Sequence, residues 1–263
     1  MKFNTSGEKL NYTNAASRVL NILREAEKID PNMKCDEVWT AVFEISESNV
    51  SKRHREISRC LGLLNDEIDS IIDGMQLDDM DEFDCLFIFH ALEPVLAVTL
   101  FGHQWQVIKN KLTREVFVCL GYCREALPNI EMRIADTEVE EIQVLLKELE
   151  EQLGGSLLPD NVKKIIQNSI SDIYTALHNY KICGADSLRD SINSVVGEAS
   201  RHKDILDNVE NEVGGEEVSR WKKAMRRVSD IADATVDTEK ALSAGTKLIE
   251  RGTKALDMFN AIL

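Results

Sequence analysis

The chain has 263 residues, 43% of them hydrophobic and 29% charged, with only 4 Pro and 13 Gly. That is the balance of a globular protein with room for a full core, built from long helices. Its formal charge of −15 and estimated pI of about 4.8 oppose binding to nucleic acid backbones and anionic membranes and favour cationic partners.

Charge and targeting signals divide the chain unevenly. Residues 1–216 hold 39 acidic against 22 basic side chains, whereas residues 217–263 hold 9 basic and 7 acidic. The opening MKFNTSGEKLNYTN lacks the apolar stretch of a signal peptide. The most apolar run, Leu86 to Phe101, is interrupted by His90, Glu93 and Pro94, so no membrane span is expected there. Six cysteines (35, 60, 85, 119, 123 and 183) follow no disulfide framework and are read as reduced thiols in a cytoplasmic protein.

In chain order, Ala16, Val19, Leu20, Leu23 and Ala26 share one face of a helix over 12–28, which ends before Asp30-Pro31. Val38, Val42 and Ile45 suit a second helix from Cys35 to Ser46. Val50, His54, Ile57, Leu61, Leu64, Ile68, Ile71 and Met75 then alternate in steps of four and three. They form a coiled-coil-like seam on one long helix, whose ordinary place in a single chain is inside a bundle. An apolar helix is expected over 81–101, kinked or divided at Pro94. Trp105, Ile108, Leu112, Val116, Cys119, Cys123 and Leu127 mark another, closed by Pro128.

Thr137 with Glu140 reads as a capping box for a helix bearing Val139, Ile142, Leu145, Leu146, Leu149 and Leu153, stopped by Gly154-Gly155. Asp160 is the expected N-cap of the next helix, with Val162, Ile165, Ile166, Ile170, Ile173, Leu177 and Tyr180 inward. LHNYKICGADSLRD (177–190) is the joint to a further stripe of Leu188, Ile192, Val195, Val196 and Ala199. Gly184 there is suited to an unusual backbone angle. Val213-Gly214-Gly215 is the candidate linker, and Trp221, Met225, Val228, Ile231 and Ala232 begin the last helical segment. The expectation is an all-α multi-helix bundle of nine or ten helices without convincing strands. An acidic body (1–213, with a division near 128–137) precedes a C-terminal segment (216–263).

Chemistry is sparse. Asp66 to Asp84 carries nine carboxylates in nineteen residues with no Lys or Arg. A calcium loop starting at Asp69 fails there, because Ile71 and Met80 fall where oxygen ligands are required. A solvated acidic turn and a docking face for a basic partner remain. No HExxH, CxxC, GxSxG, Walker loop or GxGxxG occurs. Cys119 and Cys123 lack a third soft ligand and read as buried structural residues. Glu93 follows His90 by three, so the two can share a helix face as a buried pair without a nucleophile. Lys52, Arg53, His54, Arg55 and Arg59 form the only basic cluster of the N-terminal half. It is either a solvated, ion-paired helix face or a contact for nucleic acid. No catalytic residue, metal or cofactor is assigned. In the tail, Ala241, Ala244, Gly245 and Gly252 lie beside Lys240, Lys247, Arg251 and Lys254. That segment packs on the body or, as a basic amphipathic helix over 238–263, meets a membrane or a partner.

LLKELEEQL, LPDNVKKIIQNSISDIYTAL and YKICGADSLRDSINSVVGE, between Val139 and Gly197, resemble a segment of uncharacterised all-helical bacterial proteins associated with toxin, immunity or phage-defence loci. The resemblance covers under a quarter of the chain and implies a helical scaffold with a conflict-system role. It transfers no active site. Joined to the charge, it implies a non-enzymatic immunity- or antitoxin-type protein that neutralises a basic toxin domain. Asp78, Asp79, Asp81, Glu82 and Asp84 are the expected contacts. The alternatives are a nucleic-acid-acting defence enzyme using the Lys52–Arg59 cluster, and membrane association through the tail.

Overall fold

The computed structural model describes residues 12–76, 89–127, 131–211 and 215–235, which hold ten α-helices. The only strand-like segments among them are two residues long, Tyr12–Thr13 and Glu131–Met132. The fold is all-α, as the periodicity predicts. The chain divides into two compact units, one of Thr13–Asn129 and the other of Met1–Tyr12 with Ile130–Leu263.

The first unit contains α1 (Ala15–Lys28), α2 (Cys35–Val42), α3 (Val50–Gln76), α4 (Trp105–Lys109) and α5 (Arg114–Ala126). α1 packs on α2, α3 and α5, and α2 and α5 also touch α3. The apolar face of α1 is buried as predicted, together with Ile22. In the seam of α3, Ile57, Leu61, Leu64, Ile68, Ile71 and Met75 are buried. Its first member, Val50, is 53% exposed and its second, His54, is only partly buried, so the buried seam begins two turns later than its period suggests, at Ile57, and is satisfied inside the bundle. Trp39 and Trp105 meet edge to face at 5.7 Å, and the Trp105 indole N–H donates to the Ala26 carbonyl at 3.2 Å. Arg18 reaches Glu67 at 2.7 Å, both side chains largely buried.

Three expectations in this unit need correction. α2 stops at Val42, because Glu44 takes a left-handed backbone (φ 56°) that turns the chain before Ile45. Of the helix expected over 81–101, residues 81–88 lie outside the described residues and 89–90 are helical, but 91–95 form turns and Val98–Leu100 one 3-10 turn, so no helix continues to 101. Pro94 has no N–H to give and disfavours helix in the residue before it. The helix expected over 105–127 is divided at 110–113, where extended Thr113 restarts the chain. The Thr113 side chain hydrogen-bonds the Glu115 carboxyl and holds its pKa below the ordinary glutamate value, helped by Glu115's own backbone N–H.

The second unit contains α6 (Asp136–Gly155), α7 (Asp160–Cys183), α8 (Asp186–Arg201), α9 (Lys203–Asn211) and α10 (Gly215–Ala234). α7 and α8 form a helical hairpin, and α10 lies against α6, α8 and α9. Their predicted stripes meet in one core that includes Ile142, Leu146, Ile166, Ile173, Leu188, Val195, Trp221 and Met225. The segment beyond the glycine pair thus begins with a helix that shares this core. The cap of α6 is shifted from the predicted Thr137–Glu140 pair. Ala135 precedes the helix, and the Glu138 carboxylate accepts its N–H at 3.1 Å. Likewise α7 starts at Asp160, with Pro159 in the capping position. No described helix is long and apolar enough to cross a membrane.

Candidate functional site

Asp78, Asp79, Asp81, Glu82 and Asp84 lie outside the described residues, as does the amphipathic segment 238–263. The described part of the acidic stretch is helical. Asp66, Asp69 and Asp73 are exposed on α3, while Glu67 is held by Arg18. Residues 69–76 stay in that helix, which rules out a calcium loop there.

The basic cluster does not converge. Residues at 52, 55 and 59 lie on one side of α3, whereas 53 and 54 are rotated toward α2. His54 Nε2 lies 3.2 Å from Asp36 Oδ2, and Arg53 Nη2 lies 3.7 Å from the same oxygen. The His54 ring also stacks obliquely on Phe101, with centroids 5.1 Å apart. Asp36 is buried in the first turn of α2. The group is a polar fastener between two helices: the Arg53 guanidinium and the His54 imidazole meet one buried carboxylate. Asp36 Oδ1 and Arg53 Nε are buried without hydrogen-bond partners, which fits an internal water with one acceptor and one donor to serve. On the other side, Arg59 pairs with Glu56. Lys52 and Arg55 are exposed and enter no ion pair among the described residues.

His90 and Glu93 do form the predicted i,i+3 contact, at 3.0 Å. Both side chains are nearly three-quarters exposed, so the pair is solvated and not buried.

The joint at 177–190 is built tightly. Gly184 ends α7 at φ 64°, a conformation that a side chain would strain. The Ala185 N–H donates to the buried Glu131 carboxylate. Tyr180 Oη accepts the Ile134 N–H at 2.7 Å, and Ser187 Oγ donates to the carbonyls of Ala176 and Gly184. Arg189 reaches the Ala232 carbonyl and Thr235 Oγ1, and pairs with Asp186. Tyr180, Asp186, Ser187 and Arg189 of this stretch are spent on closing a hairpin and tying α8 to the end of α10.

A surface that sequence reasoning did not single out is the outer face of α6. Ile142, Leu146, Leu149 and Leu153 point inward. The helix carries Asp136, Glu138, Glu140, Glu141, Glu148, Glu150 and Glu151 against a single Lys147. Glu140, Glu148, Glu150 and Glu151 are exposed. Val144 stands among them 55% exposed, and Leu157 just beyond the helix is 84% exposed. The signal was present: subtracting the inward stripe from 136–157 leaves a row of acids interrupted by one valine. Comparison with family models, curated proteins and solved structures gives no match for this chain.

Proposed function

We propose that the chain is a non-enzymatic, cytoplasmic protein-binding protein, most concretely an immunity- or antitoxin-type protein that caps a basic toxin domain. The observation that carries this reading is the sevenfold excess of carboxylates on α6, displayed outward on a rigid helix. It is part of a chain charge of −15. Such a field speeds the encounter with a cationic partner, while exposed apolar side chains supply contact area that is buried only on docking. The acidic run Asp78 to Asp84 contributes further negative charge to the chain. The basic residues Arg53, His54 and Arg59 are engaged by carboxylates of this chain, which leaves little of the Lys52–Arg59 cluster for phosphate.

The test is growth rescue. The product of the adjacent reading frame is expressed alone and together with this chain. Arrest by the neighbour alone and growth in the pair supports the reading; arrest in both overturns it. With the purified pair, replacing Asp78, Asp79, Asp81 and Glu82 by Lys slows association and flattens its dependence on salt.

A further inference from the structure

The outer face of α6 has a specific shape as well as a charge. On a helix, the surface neighbours of residue 144 are 140, 141, 147 and 148, which here are Glu, Glu, Lys and Glu. Val144 is therefore an apolar knob ringed by three carboxylates and one ammonium. Lys147 lies 4.0 Å from Glu151, and Glu141 is held bidentately by Arg227 of α10, with both N–O distances 2.8 Å. Glu140 and Glu148 have no ion-pair partner among the described residues. Further along, Gly154 and Gly155 present bare backbone, with nothing within 4 Å of where a side chain would start. Leu157 follows, more exposed than any other large apolar residue described.

The other exposed apolar side chains lack this setting. Val118 and Tyr122 on α5 stand beside Arg114, Glu115 and Glu125, a mixed field, and scattered single apolar residues are ordinary on a protein surface. Among the described residues, the α6 face sets an exposed apolar side chain in a ring that is predominantly acidic.

Resting on the protein-binding reading above, we infer that this face, from Glu140 to Leu157, docks a cationic amphipathic helix of a partner protein. Charge complementarity selects the occupant. Lys or Arg side chains at helical spacing would meet Glu140, Glu148 and Glu151, in the manner in which Arg227 already grips Glu141. Apolar side chains between them would cover Val144 and Leu157, and the bare glycines would allow the two backbones to approach closely.

The test uses the full chain and a synthetic amphipathic Leu/Lys helix, with a scrambled peptide of equal composition as control. Hydrogen-exchange protection on binding is expected at 140–157. The Val144→Glu variant separates the inference from plain charge attraction, because the two give opposite signs. Added negative charge alone tightens binding, whereas loss of the apolar knob weakens it, by about tenfold. Circular dichroism confirms that α6 is retained. Glu140, Glu148 and Glu151 replaced together by Lys abolish binding. Tighter binding by Val144→Glu, equal affinity for the scrambled peptide, or protection confined to 78–84 or 236–263 would overturn the assignment. Failure of growth rescue with protection still at 140–157 removes the immunity reading and leaves the surface. Rescue that survives the triple Lys variant and the loss of Val144 removes the surface and leaves the reading.

Discussion

Asn14 closes two helices at once, and its replacement offers a sharp test of how the N-terminal unit is held. The side chain is buried. Its Oδ1 accepts the Ser17 N–H at 3.0 Å, capping α1, and also the Ser17 hydroxyl. Its Nδ2 donates to the Arg124 carbonyl at 3.0 Å and, more weakly, to that of Leu127 at 3.4 Å, where α5 ends. Asn14→Ala removes the cap, worth about 1 kcal/mol. It also leaves carbonyls at the end of α5 short of a donor, at about 1–3 kcal/mol for a buried group. The expected loss is therefore about 2–4 kcal/mol, a shift of roughly 1 M or more in the urea midpoint. Fluorescence in a Trp221→Phe background isolates the signal of Trp39 and Trp105, the tryptophans of this unit. Asn14→Asp is the discriminating variant. Asp caps a helix as well as Asn, but its carboxylate cannot donate to carbonyls and faces the negative end of the α5 dipole. It should cost at least as much as Ala. An Asp variant as stable as the parent would show that Nδ2 contributes nothing and refute the double closure.

Further outcomes follow from other local features. On α3, Gly62 is exposed with open space around it, whereas a methyl group on Gly74 would meet Leu127 Cδ2 at 2.7 Å. Gly62→Ala should stabilise by about 0.5–1 kcal/mol through helix propensity. Gly74→Ala should lose that gain to overpacking of about 1–3 kcal/mol; equal midpoints for the two would contradict the contact. Burial, with help from Asp186, pushes the Asp190 carboxyl up, and burial pushes Asp233 up against the opposing pull of Arg189 and Ser229. A carboxyl raised above its unfolded value makes the fold bind the proton more tightly, so stability falls as pH rises from the unfolded value through the folded one. Asn at both positions should therefore raise the denaturation midpoint at pH 7, and the gain should shrink toward pH 4. A lower midpoint at pH 7 would reverse that sign. Burial pushes the thiols of Cys35 and Cys60 up to about 11. Iodoacetamide at pH 7.5 should leave both unmodified by mass spectrometry until denaturant is added, and rapid native labelling of either would contradict their burial.

The inward stripes of α1, α7, α8 and α10 were readable from the chain because period 3.6 is a core property. A residue such as Leu23 or Ile173 must be apolar wherever its helix packs. What periodicity misplaced were the interruptions. Leu112 and Val116 continue the apolar rhythm of Trp105 and Ile108, so the break at 110–113 left no gap in the pattern. It is set by the chain bending between two buried anchors, and Thr113 with Glu115 is its only local mark. The cap of α6 slipped because Thr137–Glu140 satisfies the capping-box pattern as well as Glu138 satisfies the observed geometry. Which one wins depends on how residues 131–134 are tethered. Ile134 is fixed by Tyr180 and Glu131 by Ala185, partners about fifty positions away that no local window contains.

The same reasoning explains why chemical versatility in the sequence marks structural joints, as the reading of 177–190 as a joint expected. Stretches rich in His, Tyr, Asp and Arg, such as 52–59 and 177–190, look reactive because those side chains are rare in a core. In a small helical unit, however, every helix end leaves N–H or C=O groups that must be met, and these are the side chains able to meet them. Tyr180, Ser187, Arg189 and Glu131 all serve helix ends or the joint between helices, and Arg53 with His54 serves the one buried carboxylate of α2. Once these are subtracted, the charge still unassigned lies on faces with no structural duty. On α6 the exposed carboxylates without an ion pair among the described residues, Glu140 and Glu148, flank the exposed Val144. A surface carrying uncompensated charge around an exposed apolar side chain is not needed for stability, and it is what the proposed docking of a cationic partner would use.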